Sequence, residues 1–572
     1  MTDISIAEAT AKLTAPGAPF EMEDAVIRGI EMRVWKNAPP NLRLVFEATR
    51  AYEDRTYLVY EDDRMTYGEH FEAVSKLASL MVNEYGVKKG DRVAIAMRNY
   101  PEWPVCFWAG VVTGAIVVPL NAWWTGGELE YGLSDSGASV LFADGQRADS
   151  LEPHYANLSL NKVVVVRSAG DLPGDAVRLE DELARVEGVP DLPEVLLEPE
   201  DDATIFYTSG TTGEPKGALG TQRNICTNLV SLGFGGARAA LRNGEVPAAL
   251  NANAAPAPQL VPLLSVPFFH ATGCHSTLVA NTAAGNKLVM MYKWDPERAL
   301  ELIEREKITS FGGVPSMVWQ VLESPNFDRY DLSTIQSIGY GGAPAAPELV
   351  TRIKQVFPNV APGNGYGLTE TSSVTTLNSS SDYQRKPDSV GVAVAVCDLK
   401  LMDGEGNETE RGGIGELWIK GPNVVKGYWQ KPEATAQNFT DGWLHSGDLA
   451  RIDDEGFVYI VDRAKDMLIR GGENVYCVEV ENALYKHPDV MDAAVVGVPD
   501  KVLGEKVGAV VQLVPDSKAT KETLRAFVQT DLAAFMVPEF FLFRTEPLPR
   551  NANGKILKPE VKKELLANLS LS

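Results

Sequence analysis

Apolar positions recur along this chain with two periods. Phe71, Val74, Leu77, Leu80 and Met81 repeat at the spacing of one helix face, whereas residues 92–97 and 115–120 are continuous apolar runs of strand length. Helices over 102–113 and 128–134 and strands over 139–142 and 204–207 continue the alternation. It resumes after residue 286, with strands over 287–292, 308–312 and 335–340 separated by helices over 296–306 and 316–322. Apolar strands between amphipathic helices predict a mostly parallel sheet covered on both faces, an α/β fold. After Val390 short strands alternate with turns at Asp403-Gly404, Gly412-Gly413 and Asp454-Glu455-Gly456, the texture of antiparallel β-structure and here of a small barrel-like part. Past Asp462 a helix over 478–485, strands over 490–498 and 508–514, a helix over 521–535 and a terminal helix predict a small α+β unit. The expected organisation is a large N-terminal domain over 1–461, a hinge at 462–465 and a small, mobile C-terminal domain over 466–572.

Three stretches depart from this rhythm. Residues 1–50 read as an N-terminal arm with an amphipathic piece over 24–34. Residues 235–262 are rich in alanine, proline and asparagine with little periodicity, which predicts a surface insertion, either a lid or a solvated spacer. Residues 105–124 carry no charge over a length that would cross a bilayer. Gly110, Gly114 and Pro119 divide that run and its second half is β-rich, so it reads as a buried helix feeding a buried strand.

Composition narrows the function classes. A chain of 572 residues exceeds one ordinary core. Its net charge of −24 argues against sequence-independent nucleic-acid binding, although local cationic sites can still hold phosphates. Five cysteines (Cys106, Cys226, Cys274, Cys397 and Cys477) are scattered without C-x-x-C spacing, which fits a reducing compartment and no structural zinc. Residues 1–19 lack a basic segment followed by an apolar one, so a cytoplasmic location is expected. Nothing in the pattern excludes a homodimer.

Candidate chemistry begins at Tyr207-Thr208-Ser209-Gly210-Thr211-Thr212-Gly213-Glu214-Pro215-Lys216-Gly217, directly after the predicted strand over 204–207. Glycines allow close backbone approach and φ > 0, successive N–H groups form an anion nest, hydroxyls add donors and the lysine adds a mobile charge. The register is not that of a kinase-type P-loop, because Pro215 stands where its second glycine belongs and no Ser or Thr follows Lys216. The alternative is an ordinary Ser/Thr/Gly surface loop. In an α/β sheet, ligands gather beyond the carboxyl ends of the strands, where this loop falls. A second candidate is Asn364-Gly365-Tyr366-Gly367-Leu368-Thr369-Glu370, which offers a stacking face, a hydroxyl and a carboxylate. Mg2+ bound to nucleotide phosphates commonly takes only one or two protein carboxylates, and Glu370 suits that place. The alternative there is a Gly-rich turn opening a helix.

Both stretches resemble signatures of the adenylate-forming superfamily, which includes acyl-CoA and aryl-CoA ligases, luciferases and peptide-synthetase adenylation domains. The resemblance runs in order from Tyr207 to Lys555. It implies that Thr208, Ser209, Gly210, Thr211, Thr212, Gly213 and Lys216 hold the β- and γ-phosphates of ATP. It implies that Tyr366 stacks on adenine, Thr369 meets the α-phosphate and Glu370 holds Mg2+, with Asn364, Gly365 and Gly367 beside them. Gly341-Gly342-Ala343-Pro344 would border the adenine and the acyl carbonyl. His270, in Pro267-Phe268-Phe269-His270, would cap the carboxylate pocket. Asp448 would grip the ribose, Arg463 the ribose or phosphate, Lys465 would be the hinge pivot, and Gly471 and Gly472 would line the channel for CoA. Pro549-Arg550-Asn551-Ala552-Asn553-Gly554-Lys555 matches the segment that delivers a catalytic lysine. Cys477 departs from the pattern, standing where a proline is common, and the insertion over 235–262 is long.

The implied reaction is ATP-dependent formation of an acyl-adenylate with release of pyrophosphate, followed by transfer to the thiol of CoA. The segments 268–274, 311–314, 339–343 and 371–374 are apolar, aromatic or small and hold no lysine or arginine, which predicts a hydrophobic monocarboxylate: fatty, aryl-alkanoic or a steroid side-chain acid, with a fatty acid preferred only as the commonest. A carrier-protein-loading enzyme and a luciferase-like oxygenase share the motifs. No carrier segment follows Ser572, which favours CoA. Intact Glu370 and Lys555 speak against a non-catalytic nucleotide-binding regulator.

Overall fold

The computed structural model describes residues 4–208, 214–251, 257–342, 347–410, 412–551 and 554–571. Its first sheet has seven strands in the order Lys216–Thr221, Asp202–Thr208, Ile116–Pro119, Arg92–Ala96, Val140–Asp144, Lys162–Val166, Val177–Arg178, parallel except at the first pair. The uncharged run that imitates a membrane span is the helix Glu102–Thr113 followed by the strand Ile116–Pro119. Gly114 ends the helix at φ 76°, and Gly110 lets it lie on the sheet, since a Cβ there would stand 2.6 Å from Val117 Cγ2. Trp103, Phe107 and Trp108 of this helix are fully buried, each stabilising the fold by roughly 1.5–3 kcal/mol. Among the described residues no helix is long and apolar enough to cross a membrane.

The second sheet places Ser310–Gly313, Ser337–Gly341 and Ala361–Tyr366 in parallel, then continues through antiparallel strands to Asp398–Met402, ten strands in all. The barrel-like part expected after Val390 is hydrogen-bonded into this same sheet. A bridge from Pro262 to Ser310 joins it to a third sheet of Leu263–Leu264, Leu288–Met290, Thr56–Tyr60 and Asp63–Thr66. Helices Tyr67–Asn83 and Pro296–Glu306 start where short polar side chains cap them: Thr66 and Glu69 form a capping box, and Asp295 accepts from the Arg298 N–H.

The amphipathic piece over 24–34 is a hairpin of Met22–Ile27 and Ile30–Trp35, turned at Arg28 (φ 51°) and Gly29 (φ 80°) as a two-residue loop requires. The irregular insertion begins later than its composition suggests. Helix Gln222–Arg242 runs through Gly235 and Gly236, because a Cβ on Gly235 would stand 2.2 Å from Leu377 Cδ1 and the glycine lets the helix press against the sheet. The segment from Asn243 to the strand Leu263–Leu264 holds only a short 3-10 turn, Ala248–Leu250, among its described residues. The C-terminal part has strands Leu468–Arg470, Glu473–Val475, Val490–Asp500, Gly504–Leu513 and Phe540–Arg544, covered by helices Cys477–Tyr485, Lys521–Val528 and Lys558–Leu571. The helix expected over 521–535 stops at Val528.

Candidate active site

The first glycine-rich stretch joins two antiparallel strands. Thr208 pairs with Lys216 across the ladder, and Thr208 Oγ1 donates to the Lys216 carbonyl at 3.3 Å. Ser209, Gly210, Thr211, Thr212 and Gly213 lie outside the described residues, as do Ala343 and Pro344 of the later motif. Lys216 Nζ sits 5.3 Å from the centre of the Tyr428 ring, and the Tyr428 hydroxyl donates to Glu370 Oε1 at 2.7 Å. One tyrosine thus bridges the stem of the phosphate-loop candidate and the cation-ligand candidate. A carboxylate has about four lone-pair sites, so this bond does not exhaust Glu370. Among the described residues no group of three or more His, Cys, Asp or Glu converges as a metal cage. A cation here would be held mainly by substrate phosphates, which the single carboxylate of Glu370 fits.

Two further candidates meet across the second sheet. Asp448 and Arg463 are cross-strand partners; Arg463 Nε donates to Asp448 Oδ1 at 3.0 Å, and the Tyr366 hydroxyl donates to Asp448 Oδ2 at 2.6 Å. Burial alone would lower the Arg463 pKa, but Asp448 and Tyr366 raise it. Asn364 and Gly365 lie near the end of the strand Ala361–Tyr366, Gly341 pairs with Gly365, and Gly342 follows at φ 75°. Gly367 is required where it stands, because a Cβ would lie 1.4 Å from the Ser373 carbonyl oxygen.

Lys555 arrives from the C-terminal part. Its loop closes with Asn551 N–H to the Lys555 carbonyl at 2.9 Å and Lys555 N–H to Asn551 Oδ1 at 3.0 Å. Gly554, at φ 73°, seats this loop on Val314: a Cβ there would lie 2.7 Å from Val314 Cγ2. Burial first and then Arg463 pull the Lys555 pKa down to about 8, with Asp448 opposing. His270 stands within the field of Lys555; burial and that charge bring its pKa down to about 4, so it is neutral at pH 7. Lys465 is exposed on the strand-to-domain connection. Gly471 (φ 63°) and Gly472 (φ 92°) form an exposed turn, where Leu503 of the same domain is the neighbour of Gly471.

Sequence reasoning missed the side chains that hold the Thr369–Thr371 turn. Asn228 Oδ1 accepts from Val374 N–H at 3.0 Å, and Asn423 Nδ2 donates to the carbonyls of Thr371 (3.3 Å) and Val374 (3.1 Å). His275 Nδ1 meets the Ser372 carbonyl at 3.2 Å, and Ser276 Oγ donates to Ser373 Oγ at 2.7 Å. The available signal for the last pair was a second histidine five residues after His270. Tyr428 was signalled only by its place between Gly427 and Trp429.

The chain belongs to the AMP-binding enzyme family: that family matches residues 45–429, and the AMP-binding enzyme C-terminal domain matches residues 479–555. It is an acid–thiol ligase of the AMP-forming, acyl- or aryl-CoA type, which uses ATP and CoA. It is 36% identical to a feruloyl-CoA synthase of Amycolatopsis sp. over 499 residues, covering 87% of this chain and 94% of the relative. It is 34% identical to a long-chain-fatty-acid–CoA ligase of Bacillus subtilis (strain 168), covering 92% and 94%. The crystal structure of the anthranilate CoA ligase AuaEII with anthranoyl-AMP superposes at a TM-score of 0.83 with 26% identity, covering 93% of this chain and 99% of that one. ATP-bound MatB from Rhodopseudomonas palustris gives 0.78 with 28% identity, covering 92% and 99%.

Proposed function

We propose that this ligase activates a hydrophobic monocarboxylate as its acyl-adenylate, releases pyrophosphate and passes the acyl group to the thiol of CoA. The observation that carries this reading is Lys555 beside Arg463, Asp448 and His270, with Gly554 seated on Val314. A carboxylate is a poor acyl donor, so its oxygen attacks the α-phosphorus of ATP and pyrophosphate leaves; such a step depends mainly on positioning and charge neutralisation. In this reading Lys555 bridges the substrate carboxylate and the α-phosphate, Thr369 donates to that phosphate, and neutral His270 caps the carboxylate pocket without adding a second charge. Thr208, Ser209, Gly210, Thr211, Thr212, Gly213 and Lys216 receive the departing phosphates. Tyr366, Gly342, Ala343 and Pro344 border the adenine, with Asn364, Gly365 and Gly367 at the turn beside it, while Asp448 and Arg463 take the ribose. Mg2+ on Glu370 would offset phosphate charge. Rotation about Lys465 would then withdraw Lys555 and bring Gly471 and Gly472 in for the CoA thiol.

The acyl group is argued from the second sheet. Gly312, Gly339 and Gly363 are paired in one row across three parallel strands, and Gly341 and Gly365 form the next row towards the carboxyl ends. Two of these glycines have backbone reasons: a Cβ on Gly312 would stand 1.5 Å from the Gly339 carbonyl oxygen, and one on Gly341 2.4 Å from that of Gly365. Gly339 has none, since a Cβ there would meet nothing within 4 Å, and Gly363 and Gly365 would make only ordinary contacts at 3.7 and 3.4 Å. Glycine within a strand costs roughly 0.5–1 kcal/mol relative to alanine, and it often marks close approach of a ligand. Two inter-strand spacings make this floor about 10 Å wide, broad enough for a planar ring lying flat, whereas one alkyl chain needs a single strand's width. An acid bearing an aryl or fused-ring group is the favoured member of the class.

The test is acid-dependent pyrophosphate release across a panel of fatty, aryl-alkanoic and fused-ring acids, with CoA added second. Release with ring-bearing acids and thioester formation on adding CoA are expected; release with none of them would sink the reading.

A further inference from the structure

The turn that presents Thr369 and Glu370 ends in two residues that resist their own backbone. Ser372 has φ 53° and Ser373 φ 102°, and neither is glycine. Such conformations cost of order 1–3 kcal/mol each and persist only where the surroundings over-determine them. Part of the restraint is local: Leu368 N–H donates to Thr371 Oγ1 at 2.8 Å, and Ser373 N–H to the Leu368 carbonyl at 3.1 Å. Asn228 and Asn423 brace the flanks of the turn, and the two strained serines themselves are reached from the π-helix Thr272–Val279. From it His275 reaches the Ser372 carbonyl at 3.2 Å, and Ser276 Oγ reaches Ser373 Oγ at 2.7 Å. A carbonyl only accepts, so Nδ1 carries the proton. The edge-on packing of the His275 ring against Phe206, at 4.9 Å between centroids, holds the ring plane.

That π-helix also begins at the other half of the site. His270 lies just before it, and the Cys274 N–H donates to the His270 carbonyl at 2.8 Å. The π-helix therefore starts two residues after the acyl-side histidine and carries the Ser372 anchor three residues into its length.

We propose that His275 is a positioning residue: its Nδ1–H bond to the Ser372 carbonyl holds the strained corner that aims Glu370, and couples that aim to the helix that begins beside His270. The inference rests on the ligase reading for the role of Glu370, and the hydrogen bond and the strained corner stand apart from it.

Two substitutions separate donor from bulk. The Nδ2 of asparagine can take the place of Nδ1, whereas leucine fills the space without donating. With acid omitted, ATP binding is measured by calorimetry with and without Mg2+; the Mg2+ dependence of pyrophosphate release is measured separately. His275→Leu should weaken Mg2+-dependent ATP binding and raise the half-saturating Mg2+ by about tenfold, the worth of one buried hydrogen bond. Its thioester formation from supplied acyl-adenylate should stay within about twofold of the parent, inside the scatter of a substitution that touches no CoA contact. His275→Asn should restore both Mg2+ readouts, and Ser276→Ala should shift them in the same direction. The proposal is overturned if the leucine and asparagine variants behave alike, whether both match the parent or both lose stability and both half-reactions together. Absence of pyrophosphate release by the parent with every acid would instead sink the ligase reading, and the calorimetric contrast between the two variants would still judge His275.

Discussion

Lys555 carries the largest tension at the residue scale. Burial and Arg463 hold its pKa near 8, against about 10.4 for a lysine in the unfolded chain. A depressed lysine pKa means that burying the ammonium destabilises the docked loop. That penalty is present in full below about pH 8 and fades as pH rises towards about 10.4. Docking and chemistry therefore respond to pH in opposite senses, since only the protonated side chain can bridge two anions. Pyrophosphate release should decline as pH rises through about 8, and Lys555→Arg, charged throughout, should lose that limb even if it is slower. Lys555→Ala should abolish pyrophosphate release while thioester formation from supplied acyl-adenylate survives. Equal loss of both half-reactions would refute the role. His270, neutral under the same field, contributes no second titration near neutrality.

At the scale of elements, the proposed acyl floor asks the strands Ser310–Gly313, Ser337–Gly341 and Ala361–Tyr366 to do two jobs with one alternation. Ile338 and Tyr340 face the packed side and are buried, while Gly339 between them is exposed. Because nothing lies within 4 Å of a Cβ at Gly339 and its φ is not left-handed, a larger side chain is accommodated by the fold and opposed only by a bound acyl group. Gly339→Leu should keep the thermal midpoint close to the parent while turning preference from ring-bearing acids to short ones by about tenfold or more. An unchanged ranking of kcat/KM across acids would exclude this floor from the acyl site. The departure at Cys477 also has its account at this scale. Its backbone N–H donates to the Asp462 carboxylate, a bond proline could not make, and burial first raises the Asp462 pKa to about 6, with Lys558 opposing.

At the scale of the whole molecule, the C-terminal part meets the site where Gly554 seats on Val314, with Lys555 beyond it. Lys465 is exposed at the connection, and Gly471 and Gly472 form an exposed turn. A chain that uses both Lys555 and that turn must pivot, and a few residues suffice. Lys465→Pro fixes φ at the proposed pivot, so thioester formation should fall by about tenfold or more while pyrophosphate release is largely kept. Single-turnover rates of the two half-reactions check this, and unchanged thioester formation would count against the pivot.

What the sequence determined by itself was local. Periodicity located the helix Pro296–Glu306, because burial on one face is written into spacing, and an uncharged run divided by glycines located the fully buried helix Glu102–Thr113. The motifs supplied the candidate groups, because phosphate, diol and carboxylate each demand particular side chains. Composition misled where a packing reason outweighed propensity, as in the helix that continues through Gly235 because Leu377 presses on it. Only the tertiary structure decided what meets what. Tyr428 on Glu370, His275 on Ser372, the row Gly312–Gly339–Gly363 and Lys555 beside Asp448 all depend on strand order, register and domain orientation. Those quantities are fixed by contacts between distant segments, which a local pattern of apolar and polar residues does not encode.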